Sequence, residues 1–153
     1  MPNSSVHNTA AIFVALSLPF VIRNYYKIDT INQVGLCVGG LAGIVLSPDL
    51  DLSENKRLFG QRGIGGIFYF LWRVYWLPYG KLIHHRGVLS HFPVLGTVGR
   101  LFYVGWPFIL VWLYFGNIQF DTDLLKWVFV GLCVVDTIHA LMDVTTTTIR
   151  RAF

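Results

Sequence analysis

Long apolar runs separated by short polar stretches organise this chain. A helix needs roughly 20 apolar residues to cross the hydrocarbon of a bilayer, and four runs are of about that length. Residues 8–26 follow the polar lead-in MPNSSVH, in which Asn3, Ser4 or Ser5 can cap a helix. Pro19 interrupts this first run, and Arg23, Tyr25, Tyr26 and Lys27 anchor its far end. The second run is 30–48, stopped by Ser47-Pro48 because proline disfavours helix in the residue before it. The third is 92–115, rich in Phe, Trp, Tyr and Leu, with a kink expected at Pro107. The fourth is 124–143, followed by a tail, TTTTIRRAF. Residues 63–80, GIGGIFYFLWRVYWLPYG, differ: they are crowded with rings, carry Arg73 and close at Pro78. They read as a helix lying in the interface or re-entering it. The pattern predicts an all-α integral membrane protein: one domain over 1–153, a bundle of about four transmembrane helices plus the interfacial or re-entrant aromatic helix.

Small residues refine the picture. Gly35, Gly39 and Gly43 recur every four positions and line one helix face with hydrogens alone, which suits close approach of a second backbone. Ordinary helix glycine is the alternative. The glycines near 63–66 do not form a phosphate loop, since no lysine and hydroxyl follow at the required positions. Cys37 and Cys133 fall inside apolar runs and read as small buried hydrophobes, not as a disulfide or ligand pair. The start of the chain lacks the basic region and small-residue cleavage site of a removed signal peptide.

Composition agrees with a lipid environment. Only 13% of the 153 residues are charged and 54% are hydrophobic, against about 25% charged in soluble domains. Aromatics reach 16%, with five Trp and seven Tyr, as rings at a membrane–water interface require. A net charge of +4 speaks to orientation and anionic lipid; no nucleic acid is expected. The N-terminal side of the four-span bundle collects Lys56, Arg57, Arg62, Arg73, Lys81, Arg86, Arg150 and Arg151. The opposite side has Arg23, Lys27 and Lys126. The positive-inside rule then makes the first side, with both termini, cytoplasmic.

The same topology gathers all five histidines on that side, together with Asp49, Asp51 and Asp143. Polar residues collecting at helix ends is the bland explanation. The sharper one is a metal site, because imidazole and carboxylate together suit zinc, manganese or iron(II). Asp49 and Asp51 offer two carboxylates from one turn. His139 and Asp143, four apart, can share an ion from one helix face. His85 and His91 can converge if their loop folds back across Gly87, and His7 lies on the same side. Seven potential ligands exceed what one tetrahedral ion needs, which favours two, a chemistry suited to activating water and gripping a phosphoryl oxygen. Arg86 could neutralise an anionic substrate. Arg100 and Asp136 stand at matching depths in the third and fourth runs. Buried charges in lipid usually pair, so they are expected to pair beneath the site; snorkelling of Arg100 is the alternative.

The ordered set of an early His, SPDLD after a glycine-rich run, HRGVLSH, and HALMD near the chain's end resembles a bacterial family. This is the family of predicted membrane-bound, metal-dependent hydrolases, and the likeness is nearest to its metal-binding branch common in cyanobacteria. The opening MPNSSVH and the stretch WLPYGKLIHHRGVLSH carry that likeness. The resemblance implies His7, Asp49, Asp51, His85, His91, His139 and Asp143 as ligands of one or two divalent ions (Zn, Mn or Fe). His84 and Asp136 fall outside its pattern, His84 being a bystander or a proton carrier. The expected function is a metal-dependent hydrolase of phosphoester type at the cytoplasmic membrane face, in a bacterial inner or thylakoid membrane. Its substrate would be a phospholipid or lipid-linked phosphate, with Arg86 on the anion and His84 moving the proton. The alternative is a non-catalytic membrane subunit or assembly factor with a structural metal site. Membrane lipid is the expected surrounding, and a protein partner could dock on the aromatic or glycine-lined helix faces.

Overall fold

A computed structural model of the chain describes residues 4–46, 64–83, 92–116 and 119–152. The described residues form five helices: α1 Ser4–Arg23, α2 Thr30–Val45, α3 Ile64–Leu82, α4 Pro93–Phe115 and α5 Thr122–Ala152. No strand occurs among them, so the architecture is all-α. Helices α1, α4 and α5 are long and apolar enough to cross a membrane. The 16 residues of α2 rise about 24 Å, short of the ~30 Å of a hydrocarbon core.

Local chemistry sets the helix ends. Asp29 caps α2, its side chain accepting from the Asn32 N–H at 2.8 Å. Asp121 does the same for α5, accepting from the Asp123 and Leu124 N–H groups at 3.0 and 3.1 Å. At the end of α4 Gly116 takes φ 68°, the left-handed conformation that glycine adopts without penalty, and its N–H reaches the Trp112 carbonyl at 2.8 Å. The threonine-rich tail does not end α5. No Gly or Pro interrupts it, and Thr145, Thr146 and Thr148 turn their hydroxyls onto carbonyls four residues back.

Backbone contact holds α1, α2 and α5 together. A Cβ added at Gly39 would lie 1.9 Å from the Val128 carbonyl oxygen, and one at Gly131 would lie 2.1 Å from that of Leu36. Only hydrogen fits at either position, so α2 and α5 touch as the glycine spacing predicts. Gly35 and Gly43 face Leu124 and Val135 of α5, while Gly40 faces Ala15 of α1. The buried apolar residues Ala15, Leu36, Leu132 and Val135 fill the seam. Ala11 and Ala15 continue the helix stripe that starts at His7, so the packing that docks α1 also turns His7 inward.

Helix α3 is held by rings instead. Trp76 and Tyr79 are buried against Trp72, Tyr75 and Tyr103, with Trp76–Tyr103 and Tyr79–Tyr103 centroids both 5.2 Å apart. The decisive contact is an exchange: the Tyr75 hydroxyl donates to the Tyr103 carbonyl at 2.8 Å, and the Tyr103 hydroxyl donates to the Tyr75 carbonyl at 2.5 Å. Pro107 explains half of it. It lacks an N–H, so the carbonyl of Tyr103, four residues earlier, loses its helical partner, and Tyr75 supplies the missing donor. Burial holds the Tyr75 phenol above the usual tyrosine pKa.

Between the two halves, α4 meets α5 at an ion pair. Arg100 and Asp136 are each 1% exposed, and the guanidinium Nη2 donates to Asp136 Oδ2. The Thr97 hydroxyl, one turn before Arg100, contacts the same oxygen. The pairing expected from matched depths is therefore present, and Arg100 does not snorkel out. Cys37 and Cys133 are free thiols, each half-buried.

Candidate metal site

Just above that ion pair, three side chains converge from two helices. His7 comes from the first turns of α1, and His139 and Asp143 from one face of α5. His7 is 7% and His139 8% exposed, so neither is a solvated helix-end histidine. Their rings lie against each other, centroids 4.1 Å apart and planes tilted by 30°. Both Nε2 atoms approach one carboxylate: His7 Nε2 is 3.4 Å from Asp143 Oδ1, and His139 Nε2 is 3.5 Å from Asp143 Oδ2. One donor atom from each of the three lies within 4.8 Å of the others.

The donor set fits a divalent ion. Imidazole nitrogen and carboxylate oxygen are ordinary ligands of such ions, and the two histidines approach different oxygens of the one carboxylate. Among the described residues, two imidazoles and one carboxylate make up the set. The adjoining pocket is lined by His7, Asn8 and Ala11 of α1, Gly43 and Ile44 of α2, and Asp136 and His139 of α5. It has room for about one water-sized sphere.

Comparison with known proteins bears on this arrangement. The profile of a family described as "Uncharacterized metal-binding protein (DUF2227)" matches residues 2–120. The chain belongs to this family. An uncharacterized protein of Aquifex aeolicus (strain VF5) is 32% identical over 137 residues, covering 74% of this chain and 91% of its own length. No solved structure matches. The family is thus one of metal-binding proteins, and its description goes no further. The matched residues take in His7 and the stretches 49–51 and 84–91. They stop before α5, so Asp136, His139 and Asp143 lie beyond the match.

Of the residues singled out from sequence, the structure brings His7, His139 and Asp143 together. Asp49, Asp51, His84, His85, Arg86 and His91 lie outside the described residues. Asp136, expected only beneath the site, also lines its pocket. Thr97 was not anticipated; its spacing of three from Arg100 was the available signal, since it puts both on the face that meets α5.

Proposed function

We propose that this protein is a membrane-embedded metal-dependent hydrolase of phosphoester type. His7, His139 and Asp143 hold the ion at one end of the bundle. The observation that carries this reading is which helices hold the three side chains. All three side chains belong to helices able to cross a membrane, His7 at the start of the segment Val6–Arg23 and His139 and Asp143 in the C-terminal part of Thr122–Thr148. A group that reaches a buried site there is most simply carried by lipid, as a phospholipid or lipid-linked phosphate. A divalent ion bound there supplies a Lewis acid that acidifies water and polarises a phosphoryl oxygen. In this reading Asp49, Asp51, His85 and His91 are the further ligands, enough for one or two ions of zinc, manganese or iron. Arg86 binds the anionic group, and His84 carries a proton. The excess of basic residues on this side supports a cytoplasmic site in a bacterial membrane, at the end of the bundle where α1 begins.

The test uses the full chain purified in detergent. Zinc- or manganese-loaded protein is expected to cleave a phosphoester in a broad phospholipid and lipid-phosphate panel. His139→Ala should lose both metal and turnover while keeping its helical circular dichroism. Stoichiometric metal without turnover on any panel member would contradict hydrolysis and favour a structural ion in a membrane subunit. Absence of metal from the wild type would remove the site itself.

A further inference from the structure

The two oxygens of Asp136 have unlike surroundings. Oδ2 takes both contacts from α4, the Arg100 guanidinium and the Thr97 hydroxyl. Oδ1 is buried and has no hydrogen-bond partner among the described residues. Asp136 nevertheless lines the pocket with His7 and His139, whereas no α4 residue does. With Oδ2 committed to α4, Oδ1 is the oxygen left on the pocket side. A carboxylate oxygen enclosed without a donor is costly, and native structures satisfy nearly all such atoms with protein or ordered water. The pocket has room for about one water. Asp136 stands outside the trio whose donor atoms approach within 4.8 Å, so it is not placed to bind the same ion directly.

We infer that Asp136 is a positioning residue: its Oδ1 accepts a hydrogen bond from a water in the pocket beside the ion, while Arg100 and Thr97 fix the carboxylate through Oδ2. The inference rests on the metal site proposed above. It also gives the buried pair a role that a purely structural ion pair lacks. Arg100 balances the charge and sets the angle, and one lone-pair face of the aspartate is kept for the site. Partners of this kind, one step removed from the ion, govern affinity and ligand orientation in metal sites generally.

The experiment measures cobalt(II) affinity by chelator competition, with the visible spectrum of the bound ion, on the full chain in detergent. Asp136→Asn is compared with the double variant Arg100→Gln/Asp136→Asn, which removes both charges together and so leaves no unpaired buried charge. Each variant should keep wild-type helical circular dichroism and cobalt stoichiometry. Each should lose about 10- to 100-fold in affinity and shift the cobalt absorption bands. If Asp136→Asn fails to fold, the double variant decides. Wild-type affinity and spectrum in the double variant would show that Asp136 merely balances Arg100 and would overturn the inference while the site stands. A wild type that binds no cobalt would overturn the site reading, and the inference with it.

Discussion

The α1–α2–α5 side and the α3–α4 side of this molecule are assembled on opposite terms. In the first, backbones touch, because glycine removes every atom that would hold them apart. In the second, large rings fill a wider gap, and a tyrosine exchange pins the helices at a carbonyl that Pro107 has freed. In lipid, apolar burial drives helix association weakly, so close packing and hydrogen bonds decide it. The glycine seam gives many fixed contacts with little freedom. The ring cluster gives fewer anchors, each easily named. The candidate ligands among the described residues belong to the first side, on α1 and α5, where neighbouring backbones leave least play for side chains that must hold an ion within tenths of an ångström.

The contrast breaks most severely at the seam between the sides. Arg100→Met alone strands Asp136 as an unpaired buried charge, a loss of about 3–5 kcal/mol. Pairing it with Asp136→Leu should recover most of that, measured as thermal stability in detergent. Next comes Gly39→Ala, whose Cβ meets the Val128 carbonyl. Backbone cannot swing aside as a side-chain tip can, so a loss near or above the usual ~1–3 kcal/mol of overpacking is expected, with weakened metal retention. Tyr75→Phe leaves the Tyr103 carbonyl without its donor and should cost about 1–3 kcal/mol. It should alter tryptophan fluorescence around Trp76 while leaving bound metal unchanged. Smallest is Gly105→Ala on α4, where an added Cβ meets nothing within 4 Å. It should be neutral or stabilising by up to about 1 kcal/mol. If Tyr75→Phe depleted metal as strongly as Gly39→Ala, the division between the sides would fail.

Much of this is legible in the sequence. Runs of apolar residues mark α1, α4 and α5, because hydropathy over about 20 residues is a strong signal. The spacing of Gly35, Gly39 and Gly43 announced the close seam, and matched depth paired Arg100 with Asp136. The spacing of His139 and Asp143 put them on one face. Other features depend on partners remote in sequence. That Gly40 meets Ala15, or that Gly131 meets Leu36, follows from how helices cross, which no local pattern encodes. The Tyr75–Tyr103 exchange required knowing which donor reaches the carbonyl freed by Pro107. The second role of Asp136 appears only once its two oxygens are seen to face different groups. Continuation of α5 through its threonines was hidden by a composition that also suits turns.

The central claim is that His7, His139 and Asp143 form one metal site across α1 and α5. It is tested most directly by elemental analysis of the purified wild type beside His7→Ala and Asp143→Ala. Stoichiometric divalent metal in the wild type, reduced by at least one ion in each variant with helical content retained, is the predicted result. Metal content unchanged by both substitutions, or no metal in the wild type, would contradict it.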